Sequence, residues 1–171
     1  MSMVKTILTL SLVIWLALVI LMPKQELYYK LEEILFAQEI VFNEEEIEEG
    51  FFGLSLKNVS VYVKGINVAN VEEVNLFTLI FYSSVEVKEL RMDDSLKSMV
   101  PQETQKAILR HSVIAPYSVS VEALGSFGSM VGKIDLNERT VHLDFNESKN
   151  IAMLKPQLKK GEKGWNYETS F

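Results

Sequence analysis

Residues 125–149 read GSFGSMVGKIDLNERTVHLDFNESK, and their three glycines admit two readings: a loop that cradles phosphate, or a strand pair that needed glycine. A phosphate loop of the G-x-x-x-x-G-K-[ST] kind requires a hydroxyl after its lysine to meet magnesium. Here Lys133 is followed by Ile134, and the position five before Gly132 is Phe127. A G-x-G-x-x-G dinucleotide turn should open a helix. The residues after Gly132 alternate instead: Ile134 and Leu136, a polar turn at Asn137-Glu138-Arg139, then Val141, Leu143 and Phe145. Two alternating apolar runs around a polar turn specify a β-hairpin. The glycines are therefore expected to mark bends or close backbone approach in a curved sheet.

The same period of two runs upstream. Phe52, Leu54 and Leu56 share one strand face; after Lys57-Asn58 the apolar phase moves to Val59, Val61 and Val63. A slip of one residue predicts a bulge or turn near Asn58. Ile66 and Val68 continue the strand pattern, and the dense run from Val74 to Val87, broken by Ser83-Ser84, is too short for a membrane span and reads as buried strand or a turn packed on the sheet. Val119 and Val121 lead a further strand into the opening hairpin. Two segments read otherwise. Asp93 to His111 loses the alternation, and Pro101 suits the first turn of a short helix with Ile108 and Leu109 toward the core and His111 at its end. NEEEIEEG, residues 43–50, lacks the spaced ligands and internal glycine of a calcium loop and reads as a solvated turn or short helix ending at Gly50.

At the other end of the chain, residues 6–22, TILTLSLVIWLALVILM, carry no charge and lie between Lys5 and Pro23-Lys24. Flanking lysines can snorkel and extend such a run to bilayer length. It ends Ile20-Leu21-Met22-Pro23, without the small residues of a signal-peptidase site, so an uncleaved anchor is expected, with Ile7, Leu10, Ile14, Trp15, Leu18 and Leu21 facing lipid. A short amino-terminal tail makes N-inside, C-outside the simplest topology. KQELYYKLEEILFAQ, residues 24–38, then sets Leu27, Leu31, Ile34 and Leu35 on one helical face, to pack on the sheet or meet a partner.

The fold expected is thus mainly β with α: one N-terminal transmembrane helix, an amphipathic helix, then a curved antiparallel sheet, half-barrel-like. The divisions fall at 1–23 for the cytoplasmic tip and anchor, 24–38 for the amphipathic helix and 39–171 for a β-rich domain outside the membrane.

A net charge of −6 speaks against nucleic acid as a partner. The basic and aromatic tail, Lys155 to Tyr167, reads as a solvated end strand or polar rim. The chain has no cysteine and two histidines, His111 and His142, so thiolate chemistry and multi-histidine metal sites are excluded by count. His142 and Asp144 share a strand face opposite Val141, Leu143 and Phe145 and should meet solvent. No nucleophile, base and orienting group come together in the sequence, and no G-x-S-x-G elbow is present, so no catalytic, cofactor or metal residue is assigned. Asn146-Glu147-Ser148 is an N-glycosylation acceptor, and with Asp144 two before the asparagine it resembles the extended bacterial sequon.

The order anchor, amphipathic helix, then GFFGLSLKNVSVYVKGINVANVEEVNLFTLIFYSSVEVKEL, and the closing GSFGSMVGKIDLNERTVHLDF with its lysine-rich tail, resemble the AsmA and type II secretion protein N group. That resemblance implies an inner-membrane protein with a periplasmic curved sheet, localised as a single-pass protein and non-enzymatic. Its implied role is that of a scaffold or accessory subunit of a trans-envelope machine, either a secretion system or a flagellar motor. Its implied partners are other envelope-complex proteins or further copies of itself. The alternative is lipid or lipopolysaccharide transfer, because the lipopolysaccharide-export bridge is similar in having one span followed by periplasmic β-structure. The two differ in what the apolar face touches: a scaffold fills it with Leu27, Leu31 and Ile34, whereas a lipid conduit leaves it open.

Overall fold

The computed structural model describes every residue except 1, 80, 97–99, 147–150, 152–153, 156–157 and 162–163. It is mainly β. Helix α1 (Ser2–Ile20) is followed by helix α2 (Lys24–Phe36) and then by the strands. The first five are β1 (Ile40–Asn43), β2 (Glu46–Glu49), β3 (Gly53–Val63), β4 (Ile66–Leu79) and β5 (Tyr82–Met92). The remainder are β6 (Glu103–Ser112), β7 (Ala115–Gly125), β8 (Gly128–Asp135), β9 (Thr140–Phe145), β10 (Lys159–Gly161) and β11 (Gly164–Ser170). They form one antiparallel sheet in the order β1-β3-β4-β5-β6-β7-β8-β9-β11-β10, with β2 also paired to β3, so the sheet is open and does not close into a barrel.

Alternation sorts the two faces. One row of directly paired residues begins Ile47–Leu56–Val74–Val87 and continues Ala107–Ala123–Met130–Phe145–Trp165, apolar at every step. The next row on that face runs Leu54–Leu76–Val85–Leu109, then Val121–Gly132–Leu143–Tyr167. The opposite face is charged: Lys88 pairs Glu73 at 2.8 Å, Lys106 pairs Glu86 at 2.9 Å, and Arg110 pairs Glu122.

Gly132 answers the opening question. A Cβ there would stand 2.5 Å from the His142 carbonyl oxygen and 2.5 Å from a Leu143 methyl, so the glycine lets β9 lie close. The phase slip near Asn58 is also present: Asn58 has φ 51°, Leu54 and Leu56 are buried before it, and Val59 after it. In β5, Glu89 has φ 49°, and inward residues flank it at Val87 and Leu90.

Two expectations are corrected. Among the described residues of 93–111 the expected short helix is not formed: a 3-10 turn spans Asp94–Leu96, and β6 takes up Glu103 onward, with Leu109 inward, Ile108 outward and His111 paired to Val119. The apolar triplet Ala107-Ile108-Leu109 hides the alternation, and hydrogen-bonding strands on both sides override local preference. NEEEIEEG is no turn or helix either. Its Glu46–Glu49 pairs β3, with Ile47 against Leu56 and Lys57 holding Glu46 at 3.1 Å and Glu48 at 2.7 Å.

The apolar face is covered at its two ends. Tyr28 of α2 packs with Leu54, Leu56, Val59 and Val71; at the far side Phe127, Phe145, Ile151 and Leu158 form a second buried cluster. Between them Val85, Leu109 and Val121 on β5, β6 and β7 belong to neither cluster and are only partly buried.

Candidate functional site

α1 is long and apolar enough to cross a membrane, its window being Met3–Ile20. Ile7, Leu10, Ile14 and Leu18 are all more than half exposed, as lipid-facing residues would be, and Leu21 lies just beyond the helix end. Trp15 behaves differently. Its ring stacks on Phe81 in the β4–β5 turn, with centroids 6.2 Å apart and planes within 7°. Val19, one turn on, is buried.

α2 begins at the same end. Lys24 is buried, and its ammonium donates to the carbonyls of Ile20 at 3.4 Å and Met22 at 3.3 Å, with Glu49 at 3.8 Å. Carbonyls left free at a helix C-terminus favour such a cation. Lys24, the first residue of α2, thus caps the end of α1.

Beneath this junction a cavity of about 260 Å³ is lined by Met22, Leu27, Tyr28, Leu31, Leu54 and Leu76, with Lys24, Gly53 and Thr78 completing it. The side chains lining it are apolar apart from the Lys24 ammonium and the hydroxyls of Tyr28 and Thr78. Such a space suits a hydrocarbon segment.

Of the face expected to pack on the sheet, Leu27 and Leu31 line this cavity yet remain 46% and 45% exposed, Ile34 is 59% exposed, and Leu35 is half-buried. The residue that seals α2 to β3 and β4 is Tyr28, on the same helical stripe. Its hydroxyl donates toward Glu44 at 3.2 Å and Glu32 at 3.3 Å. Burial, and then the two carboxylates, push its pKa well above the ordinary phenol value. Burial, then Glu44, raises the Glu32 carboxyl as well.

His142 and Asp144 face outward at 3.3 Å, both about half exposed. Asn146 is exposed at the end of β9, while Glu147 and Ser148 of its acceptor motif lie outside the described residues. Among the described residues no group of three or more acidic or histidine side chains could hold a metal.

Phe81, which stacks on Trp15, and Tyr28, which packs α2 on the sheet, were passed over by sequence reasoning. Tyr28 could have been found from its place one turn before Leu31 and Glu32. Phe81 had no local signal, because its partner lies 66 positions away by residue number. Comparison with family models, curated proteins and solved structures finds no match to this chain.

Proposed function

We propose that this chain is a non-enzymatic, single-pass membrane protein that holds lipid acyl chains on the open apolar face of its sheet, with the sheet on the periplasmic side. One observation carries this reading: two apolar rows cross the whole sheet, and the chain's own helix and C-terminal cluster cover them only at the ends. Val85, Leu109 and Val121 in the middle are left only half-buried by the chain's own elements, and apolar surface left to water costs stability and can mark a binding surface. The cavity beneath α2 shares Leu54 and Leu76 with the second apolar row and is lined on its other side by Met22 and Lys24, just past the end of α1.

The scaffold reading, a subunit of a secretion-like or motor assembly, keeps one observation of its own. Ile34 and Phe36 are 59% and 69% exposed on α2, apolar side chains that a protein partner could cover.

A photo-crosslinking amino acid at Leu109 or Val121, in the full-length protein in its native membrane, separates the two. Lipid adducts at these positions, with none at outward-facing Arg110, are the expected result. Adducts to proteins alone at Leu109 and Val121 would move the assignment to the scaffold.

A further inference from the structure

The sheet has two rims, and they differ in chemistry. One rim carries the β2–β3, β4–β5, β6–β7 and β8–β9 turns and the end of β11; the other carries the β3–β4, β5–β6 and β7–β8 turns. On the first rim apolar side chains point into solvent: Phe51 is 72% exposed, Phe81 59%, Val113 52%, Ile114 95%, Leu136 45% and Phe171 65%. On the second, the β3–β4 turn is Lys64-Gly65 and the β5–β6 connection opens with Asp93-Asp94; among the described turn residues there Phe127 is tucked in at 6% exposed and Leu96 and Val100 are half-buried, and Ile66, which opens β4, is exposed.

Turn geometry does not require this difference. Lys64 and Gly65 have φ 53° and 77°, the left-handed pair favoured in two-residue hairpins. Val113-Ile114 closes the β6–β7 hairpin with two β-branched residues, which turns ordinarily avoid. Ile114 also contacts no core, since it is almost wholly exposed.

The apolar rim is the one that α1 meets. Trp15 stacks on Phe81 and sits five residues before the end of the helix at Ile20, about 8 Å along its axis. If α1 spans a bilayer, the β4–β5 tip is already at interfacial depth, where amphipathic elements bury apolar side chains by about 5–10 Å. Aromatic rings concentrate at that depth.

We propose that this rim is a second membrane contact: the hairpin tips bearing Phe51, Phe81, Val113-Ile114 and Leu136 insert into the lipid interface beside α1. The sheet then stands upright on the bilayer. Its strands of 11 residues place the Lys64-Gly65 rim about 35 Å away. The open apolar face meets the leaflet directly at its lower edge. The proposal rests on the anchoring of α1 and does not depend on what the face carries.

The absence of native cysteine allows a single environment-sensitive fluorophore to be placed at will. Full-length Leu10→Cys, Ile114→Cys, Leu136→Cys and Lys64→Cys would be labelled and reconstituted in phosphatidylethanolamine–phosphatidylglycerol vesicles, then read with nitroxide-labelled lipids and with aqueous iodide. Labels at Ile114→Cys and Leu136→Cys should shift to the blue and be quenched by nitroxide lipid, like the Leu10→Cys label. The Lys64→Cys label should respond only to iodide. A Leu10→Cys label quenched by lipid together with an Ile114→Cys label as open to iodide as that at Lys64→Cys would overturn the rim proposal alone. A Leu10→Cys label outside the lipid would overturn the anchor and the rim together.

Discussion

The pKa values of Asp135 and Glu32 are displaced in opposite directions, and each sign follows from its neighbours. The Asp135 carboxylate accepts the backbone N–H groups of Glu138 and Asn137, both at 3.0 Å, and these bonds, the one from Glu138 first, hold its pKa below the usual carboxylate value. A carboxyl whose folded pKa is depressed stabilises the fold above its unfolded pKa and loses that contribution as pH falls through the folded value. Glu32 is raised, by burial and by Glu44, so its contribution is present in acid and is lost as pH rises through its folded pKa. Amide exchange across an acid titration should therefore show the β8–β9 turn opening as pH falls below the ordinary aspartate range. Over the range just above the ordinary glutamate value, α2 should loosen as pH rises. Glu32→Gln should abolish the α2 trend and leave that of the turn unchanged; a Glu32→Gln protein with the original α2 profile would refute the assignment.

At the scale of elements, β3 shows how one residue steers a strand. Leu54 and Leu56 point inward, and strict alternation would send Val59 outward; Asn58, at φ 51°, absorbs the odd step and returns Val59 to the core beside Val71. Asparagine tolerates the left-handed region, whereas a β-branched residue pays about 1–2 kcal/mol there. Asn58 also donates to Glu45 at 2.6 Å. Asn58→Val should lower stability by about that amount, and Asn58→Gly by less, in denaturant titrations. Equal losses would mean that the Glu45 hydrogen bond, and not the backbone, carries the effect. The slip was legible because it displaces apolar residues in the sequence. β6 was not, because its partners β5 and β7 supply the pairing that its own residues do not announce.

For the whole molecule, the uneven covering of one apolar face makes a quantitative distinction. Ile151 is fully buried against Phe127, Phe145 and Leu158, while Leu109 is only partly buried in the uncovered middle. Ile151→Ala should cost about 2–5 kcal/mol by leaving a cavity, whereas Leu109→Ser, at a side chain only half-buried, should cost less. Thermal unfolding of the two variants in the same detergent checks this. A Leu109→Ser loss as large as that of Ile151→Ala would show that the middle of the face is covered in the folded protein, against the lipid-binding reading.

The amino-acid sequence by itself determined the anchor-length helix, the amphipathic helix, the Gly132 hairpin and the slip at Asn58. Each is a local pattern: a run without charge, a period of 3.6, a period of two, or a break in it. Tertiary structure decided the rest. Whether Glu46–Glu49 and Glu103–Ser112 became strands depended on β3, β5 and β7 offering unpaired backbone groups. Which apolar residues stayed exposed depended on how far α2 and the C-terminal cluster reach across the sheet. Phe51, Phe81, Ile114 and Leu136 are separated in sequence, and only antiparallel connectivity, which returns alternate turns to the same end, gathers them on one rim beside α1.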